Sequence, residues 1–248
     1  MTGVIIITGG SRGIGAAISR SAAAKGYLVC VNYHSGDSEA EALIAEINES
    51  GGRAISCKAD VSDHVEVERL FATTESKLGP VTMLVNNAGI TGKICRFDEV
   101  DPQVMSQVIA INTMGALYCS QAAVKRMSTK RGGKGGVIVT VSSIAARLGS
   151  PGEYIWYASS KAAVDAMTIG LAKEVGGEGM RVNAVSPGII DTEIHALGGD
   201  PGRVDRIAPM IPFGRAGTAQ EIANAVIWLG SEEASYCNGS ILDCSGGR

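Results

Sequence analysis

The chain has 248 residues, a length that suits one large domain or two small ones. Its hydrophobic content of 45% allows a buried core, and its net charge of −3, without a long basic run, does not suggest nucleic-acid binding. The apolar run Val4–Ile7 is too short for the core of a signal peptide, and no stretch reaches membrane-spanning length. We therefore expect a cytoplasmic protein whose partners include neither nucleic acid nor a membrane.

The six cysteines are scattered along the chain, without a CxxC pair and without histidines at zinc-ligand spacing. We interpret them as free thiols in a reducing compartment, and we predict no metal site.

Short apolar segments alternate with longer amphipathic segments from one end of the chain to the other. Most of the short segments are rich in Val and Ile and lack polar alternation, which is typical of parallel strands covered on both faces. The predicted strands are Val4–Ile7, Leu28–Asn32, Ala54–Lys58, Met83–Val85, Val137–Val141, Arg181–Val185 and Ile241–Asp243.

The longer segments predict helices, and Gly26, Gly51 and Gly230 stand where three of them would end in a left-handed residue. The regular alternation predicts one domain over residues 1–248. Its expected fold is α/β and Rossmann-like, a doubly wound, mostly parallel seven-stranded sheet with helices on both faces. The predicted helices are Ile14–Lys25, Ser38–Ser50, His64–Leu78, Pro102–Met127, Tyr157–Gly176 and Ala219–Leu229.

The segment Asp191–Gly217 breaks this alternation and is rich in glycine and proline. It follows the carboxyl end of a predicted strand, where open sheets bind their ligands. We expect a substrate lid at about residues 191–217; an irregular surface loop is the alternative.

A glycine-rich turn, Thr8–Gly15 (TGGSRGIG), links the first predicted strand to the first predicted helix. Glycine allows a tight turn and a close approach of phosphate oxygens to backbone amides, and a helix N-terminus adds unpaired N–H groups. The turn therefore predicts a dinucleotide site, although its spacing differs from G-x-G-x-x-G.

The second predicted strand indicates which dinucleotide is bound. A site that selects NAD usually has an acid at this strand end, but the segment Asn32-Tyr33-His34-Ser35 offers none before Asp37. A phosphate on the adenosine ribose would meet no repulsion there, and Arg12 could pair with it. We predict a preference for NADP(H), with NAD(H) as the alternative; a solvated Arg12 without this role is the competing interpretation.

Tyr157 and Lys161 lie four residues apart and hence on one face of a predicted helix. A nearby cation favours the phenolate and should bring the pKa of Tyr157 toward neutrality. Such a pair also occurs by chance as surface packing. Here, however, Ser142 and Ser143 end one predicted strand and Asn86–Gly89 follows another, so hydroxyl, amide, phenol and ammonium groups should meet at the same sheet edge.

This set of motifs resembles the short-chain dehydrogenase/reductase family in its compact form, over essentially the whole chain. The resemblance rests on the TGxxxGxG turn, Asp60-Val61, NNAG (Asn86 to Gly89), Asn112, the Ser143 region, YxxxK (Tyr157 to Lys161) and Pro187-Gly188.

The resemblance implies catalytic roles for four residues. Tyr157 would be the general acid in reduction and the general base in oxidation, and Ser143 would bind the substrate oxygen. Lys161 would lower the pKa of Tyr157 and bind the nicotinamide ribose. Asn112 would hold a water that relays protons from Lys161, although a buried Asn bonded to backbone is its simpler interpretation.

The same resemblance implies a cofactor site along the strand ends. Its residues would be Gly9, Ser11, Arg12, Gly13, Ile14, Gly15, Asn32, Tyr33, His34, Asp60, Val61, Asn87, Ala88, Gly89, Tyr157, Lys161, Pro187, Gly188, Ile190 and Thr192.

One spacing departs from the family pattern. Ser143 precedes Tyr157 by fourteen residues, one more than is common in the family, so Arg147–Trp156 should carry a one-residue insertion. Ser142 is the alternative to Ser143 as the substrate-binding hydroxyl.

The predicted activity is NADP(H)-dependent reduction of a carbonyl, or oxidation of the matching secondary alcohol. A non-catalytic NADPH-binding sensor or interaction protein is the alternative. The expected pocket lining (Ile94, Arg96, Arg147, Tyr154, Trp156, Ile189, Ile194 and His195) would suit a sugar, a β-ketoacyl thioester or a small ketone. By resemblance we expect a homotetramer, or a homodimer, in which Pro102–Met127 pairs with Tyr157–Gly176 and the tail Ser240–Arg248 borders a second interface.

Overall fold

Seven apolar strands form one parallel sheet in the computed structural model, which describes residues 3–248. The strands match the predicted ones, with ends that differ by up to two residues. They are β1 (Val4–Ile7), β2 (Leu28–Tyr33), β3 (Arg53–Lys58), β4 (Val81–Asn86), β5 (Gly136–Val141), β6 (Met180–Pro187) and β9 (Ile241–Cys244), and a separate short pair is formed by β7 (Ile190–Asp191) and β8 (Gly217–Thr218).

The order of the large sheet is β3-β2-β1-β4-β5-β6-β9, with every pairing parallel. The chain builds outward from β1 to β3 and then returns to build outward from β4. The direction of winding therefore reverses between β1 and β4, and their carboxyl ends open a crevice. The doubly wound α/β fold predicted from the sequence is confirmed.

Helices cover both faces of this sheet, which explains why its central strands are largely apolar. The helices are α1 (Gly13–Ala24), α2 (Asp37–Glu49), α3 (His64–Leu78), α4 (Pro102–Ile109), α5 (Gly115–Met127), α6 (Ala145–Leu148), α7 (Ile155–Val175), α8 (Ile194–Leu197), α9 (Arg203–Ile207) and α10 (Ala219–Gly230). Along β1, Ile5 and Ile7 pack into the layer of α1, α2 and α10, while Val4 and Ile6 pack into the layer of α3, α5 and α7.

Two predicted features are wrong in detail. The predicted helix Pro102–Met127 is interrupted by a π-helical turn at Ala110–Met114, which contains Asn112. Gly230 lies inside α10 without a positive φ, unlike Gly26 and Gly51, whose φ values are 84° and 85°. A Cβ at Gly230 would lie 2.7 Å from the Met83 Sδ, so packing explains this glycine.

The segment 191–217 is largely ordered into short elements. It contains α8 and α9, and its ends are joined because β7 pairs with β8. Over residues 3–248, the structure contains no helix with the length and hydropathy needed to span a bilayer.

Candidate active site

The glycine-rich turn between β1 and α1 presents backbone rather than side chains to the crevice. Gly9 and Gly13 adopt φ values of +58° and +51°, which favour glycine, and a Cβ on Gly15 would lie 2.1 Å from the carbonyl oxygen of Gly9. Arg12, at the N-cap of α1, makes no side-chain hydrogen bond to the helix. The first N–H groups of α1 are therefore available to an anion such as a diphosphate.

Polar side chains from two neighbouring strand ends hold this turn in place. The Asn87 amide donates to the carbonyl oxygens of Thr8 and Gly9, both at 2.9 Å. The Thr8 hydroxyl accepts from the backbone N–H groups of Asn87 and Ala88, and the Asn32 Oδ1 accepts from the Gly9 N–H at 3.3 Å. The side chains of Asn32 and Asn87 thus shape the turn.

Charges at the end of β2 are already paired with one another. The Asp37 carboxylate accepts from the Lys58 ammonium at 2.9 Å and from the Tyr33 hydroxyl at 3.0 Å, and Lys58 holds the pKa of Asp37 below its usual value. Arg12 lies 4.0 Å from Glu39, an acid at this edge that the sequence analysis did not consider.

A continuous cavity of about 660 Å³ runs from the glycine turn to Tyr157. Every predicted cofactor residue lines it, as do the predicted catalytic residues other than Asn112. Asn112 lies behind the cavity wall.

Tyr157, Ser143 and Lys161 converge at the far end of the cavity, where β5 meets α7. The Ser143 hydroxyl lies close to the Tyr157 hydroxyl and lowers the pKa of that phenol. The Lys161 Nζ lies 5.7 Å from the centre of the Tyr157 ring and donates to the carbonyl oxygen of Val141 at 2.7 Å. Lys161 is buried, with a relative exposure of 5%.

Burial dominates the pKa values of Tyr157 and Lys161 in the chain by itself. Burial raises the pKa of Tyr157 to about 12, and the Ser143 hydroxyl offsets this only in part. Burial also lowers the pKa of Lys161 to about 8, with the Asp165 carboxylate opposing the change. That Lys161 lowers the pKa of Tyr157 during the reaction stays a prediction.

Ser142 and Ser143 point in different directions, as neighbours at a strand end do. Ser143 faces Tyr157, whereas the buried Ser142 hydroxyl donates to the Lys161 carbonyl oxygen at 3.4 Å and lies beside the Asp165 carboxyl. The geometry thus brings Ser143, and not Ser142, to the phenol.

The Asn112 side chain holds the segment that follows β4. Its Oδ1 accepts from the Ile90 N–H at 2.9 Å, and its Nδ2 donates to the Ile90 carbonyl oxygen and to the Ser160 hydroxyl at 2.9 and 3.0 Å. Both amide protons are therefore engaged by protein, as the simpler interpretation of this residue expects.

Of the residues expected at the substrate end, five line the cavity: Ile94, Tyr154, Ile189, Ile194 and His195. The other three do not lie on it. Arg96 pairs with Asp98 on the surface, Arg147 pairs with Asp243, and the buried Trp156 donates to the Thr91 carbonyl oxygen at 2.7 Å.

Glu153 and Arg203 are among the charged residues of this wall that were not expected from the sequence. They form a bidentate ion pair across 50 residues of sequence. The only available signal was the position of Glu153 four residues before Tyr157, on the segment expected to carry the insertion. Ser150 in that segment has a left-handed φ of 47°, an unusual conformation for a residue other than glycine.

Comparison with known proteins identifies the family of this arrangement. Residues 9–248 match the family model described as enoyl-(acyl carrier protein) reductase. The chain is 46% identical to the uncharacterized oxidoreductase YgfF of Escherichia coli, over 99% of both chains. It is 38% identical to an NADPH-dependent aldehyde reductase-like protein of Arabidopsis thaliana, over 98% of this chain and 93% of the relative.

A solved structure shows the same fold with a nucleotide. A short chain dehydrogenase from Burkholderia cenocepacia, in complex with NADP, superposes with a TM-score of 0.90 at 32% identity, over 99% of this chain and 97% of that one. Its bound nucleotide is the one predicted for this chain from the end of β2. With the family match over nearly the whole chain, these likenesses show that the protein belongs to the short-chain dehydrogenase/reductase family.

Proposed function

We propose that the chain is an NADP(H)-dependent oxidoreductase that reduces a carbonyl compound, or oxidises the matching secondary alcohol. The observation that carries this proposal is the cluster of Tyr157, Ser143 and buried Lys161 at the end of a cavity that begins at the glycine turn. A proton donor and an anion-binding turn thus share one cavity.

The cavity fits a dinucleotide phosphate along its length. The N–H groups at the start of α1 would hold the diphosphate, Asp60 and Val61 would border the adenine, and Asn87 to Gly89 would lie along the middle of the cofactor. Pro187, Gly188, Ile190 and Thr192 would surround the nicotinamide. Bound NADPH supplies the hydride.

The end of β2 favours the 2′-phosphate form of the cofactor. Asp37 is neutralised by Lys58 and therefore repels a phosphate only weakly, and Arg12 is exposed enough to reach one. Glu39 competes for Arg12, so the preference for NADPH should be moderate.

Tyr157 is suited to donate a proton at neutral pH. With a pKa raised to about 12 its phenol is protonated there, and an alkoxide formed from the substrate is basic enough to take that proton. Ser143 would donate to the substrate oxygen as its negative charge develops.

Lys161 has the task of stabilising the phenolate that remains. Its ammonium is held by Val141 near the Tyr157 ring, and below about pH 8 it carries its charge. It would also bind the nicotinamide ribose hydroxyls. A water that relays protons from Lys161 would have to donate to an oxygen of Asn112, because both side-chain amide protons are occupied.

The segment 191–217 would act as the substrate lid, because Glu193, His195, Leu197 and Arg203 line the cavity from above the strand ends. The nearby walls also contain apolar side chains, including Ile94, Leu148 and Ile189. A carbonyl compound with an apolar body is favoured over a highly charged one.

A homotetramer, or a homodimer, is proposed for the assembly. The helices α4, α5 and α7 leave Ile109, Leu117 and Ile169 from 37% to 40% exposed, which is consistent with partner contacts. Light scattering at micromolar concentration would contradict this if it gave the mass of a monomer.

The activity is tested by following NADPH absorbance with a panel of aldehydes, ketones and β-ketoacyl thioesters, and by supplying alcohols with NADP⁺. Tyr157→Phe should lower kcat by about 10²- to 10⁴-fold and leave the Kd of NADPH unchanged, because only the proton donor is lost. Tyr154→Phe is the matched control. Stoichiometric NADPH binding without turnover of any panel member would instead support a non-catalytic sensor.

A further inference from the structure

A buried ion pair joins the segment 191–217 to the segment that carries Tyr157. The Arg203 guanidinium, on α9, donates through Nη1 and Nη2 to the two carboxylate oxygens of Glu153 at 2.7 and 2.6 Å. The Arg203 side chain is only 3% exposed, and that of Glu153 is 30% exposed. Most ion pairs in this protein lie on the surface, so this one differs in environment.

Burial makes this pair poorly suited to a purely stabilising role. Removing a guanidinium and a carboxylate from water carries a desolvation cost that their attraction offsets only with very good geometry. The Arg203 Nε is also buried without a hydrogen-bond acceptor among the described residues. A pair of this kind fixes position more effectively than it adds stability.

The position that it fixes is next to the proposed proton donor. The Arg203 guanidinium lies over the Tyr154 ring at 5.2 Å, a cation–π contact, and the Tyr154 ring meets the Tyr157 ring edge to face at 5.3 Å. Three contacts therefore run in series from Glu153 through Arg203 and Tyr154 to Tyr157.

Backbone contacts tie the same two segments to the loop after β4. The Ile94 N–H donates to the Gly198 carbonyl oxygen, and the Cys95 N–H donates to the Glu153 carbonyl oxygen, both at 3.1 Å. The loop after β4 thus bonds to both the segment 191–217 and Glu153. The ion pair between Arg203 and Glu153 joins the same two segments directly.

We propose that Arg203 is a positioning residue, which fastens the lid to Glu153 and holds Tyr157 in its reactive orientation through the Tyr154 ring. This inference rests on the proposed function, because it assigns to Arg203 a task only in an enzyme that uses Tyr157. Closure of the lid and alignment of the phenol would then be one event. Substrate turnover would depend on a side chain that does not touch the reacting atoms.

The central test replaces Arg203 by Met, which keeps the length of the side chain and removes both its charge and its planar donor fork. We expect kcat to fall by about 10²-fold, the loss that a small misplacement of a catalytic group can cause. The Kd of NADPH should stay unchanged, because the ion pair lies at the other end of the cavity. Hydrogen exchange of the amides in 194–210 should become faster.

A matched control lies on the same helix. Arg206 pairs with Asp200, and its side chain is 57% exposed. Arg206→Met should leave kcat and the hydrogen exchange of the lid as in the unmodified protein. Arg203→Lys should be intermediate, because an ammonium keeps the charge but cannot make the bidentate contact or the planar stack.

A second pair of variants separates the lid from the phenol. Tyr154→Leu removes the ring but leaves the ion pair, so kcat should fall while the lid keeps its protection from exchange. Tyr154→Phe keeps the ring and should therefore lose much less kcat than Tyr154→Leu. Glu153→Gln also removes the ion pair, so it should lower kcat and speed lid exchange as Arg203→Met does. Agreement between the two variants would show that the effect does not come from a folding defect in one of them.

Two outcomes would overturn this inference: a normal kcat in Arg203→Met, or a lid that exchanges no faster in Arg203→Met than in Arg206→Met. If the unmodified protein reduces no carbonyl in the panel, the proposed function fails. The comparison of lid exchange between the two arginine variants then still decides whether Arg203 fastens the lid.

Discussion

The two ends of the cavity differ in whether backbone or side chains face the ligand. At the cofactor end, the surface that faces a ligand is the backbone of the turn Gly9–Gly15. The Asn32 and Asn87 side chains form hydrogen bonds that hold this turn. At the substrate end, the surface is made of side chains, with Tyr157, Ser143 and Arg203 drawn from three separate segments.

This difference predicts where replacing a side chain should reduce binding or turnover. A diphosphate is chemically constant, and backbone N–H groups bind it whatever the neighbouring side chains are, provided that none intrudes. A carbonyl undergoing reduction needs a particular donor at a particular place. Replacing a side chain should therefore cost much at the substrate end and little at the cofactor end, except where a new Cβ would fill the turn.

After Tyr157→Phe, the largest effect is expected from the pair of serines at the end of β5. Ser143→Ala should lower kcat by about 10²- to 10³-fold, because a donor to the developing oxyanion is lost. Ser142→Ala, its matched control, removes a hydroxyl that donates to the Lys161 carbonyl oxygen and should retain most of the activity. Steady-state assays on both variants decide the assignment, and the reverse pattern would show that Ser142 is the substrate-binding residue.

The sequence predicted the cofactor end well because its signals are local. Gly9, Gly13 and Gly15 are needed within a few residues of one another, and a strand before them and a helix after them supply the context. The central strands were equally predictable, since burial on both faces leaves a largely apolar run.

The substrate end was less predictable because its contacts are distant in sequence and its charges respond to burial. Nothing near Arg203 indicates that Glu153 is its partner. The helical spacing of Tyr157 and Lys161 gave their proximity but not their desolvation, which moves both pKa values away from each other. For Asn112, the family motif indicated that the residue belongs to the site. Its π-helical turn and its contacts to Ile90 depend on the folded chain and could not be predicted from the sequence.

Lys161 tests how strongly the substrate end is desolvated. Its folded pKa of about 8 lies below the value of 10.5 for an exposed lysine, so the folded state binds fewer protons between these pH values. Stability should therefore rise with pH in this window, and the penalty is fully present at pH 7. Relative to Lys161→Met, the free energy of unfolding of the unmodified protein should increase by about 2–3 kcal/mol from pH 7 to pH 10.

Urea unfolding of both proteins at the two pH values measures this change. Titratable groups that both proteins share contribute equally and cancel in the difference between their free energies of unfolding. A constant difference between the proteins would mean that Lys161 keeps an ordinary pKa and that the substrate end is well hydrated.

Gly15→Ala probes the exception at the cofactor end. The new Cβ would lie 2.1 Å from the Gly9 carbonyl oxygen and 2.6 Å from the Asn87 amide nitrogen, so the turn must shift. Overpacking of this kind costs about 1–3 kcal/mol, and we expect the Kd of NADPH to rise by about 10- to 100-fold. Fluorescence titration gives the Kd. Gly170→Ala on α7, where a Cβ would meet nothing within 4 Å, is the control and should bind normally.

The smallest effect is expected from Arg12, the side chain proposed to recognise the 2′-phosphate. Arg12→Ala should reduce the ratio of kcat/KM for NADPH to that for NADH by about tenfold, the value of one charge-assisted hydrogen bond of about 1.5 kcal/mol. Glu39→Gln should move the ratio the other way, because Arg12 is then released from its ion pair. Both shifts should shrink as the salt concentration rises, since the charges are exposed. An unchanged ratio in both variants would mean that the 2′-phosphate is recognised by backbone and by Tyr33, His34 and Ser35 instead. Replacing a side chain would then cost little at the cofactor end even at Arg12, the exposed cation of the turn.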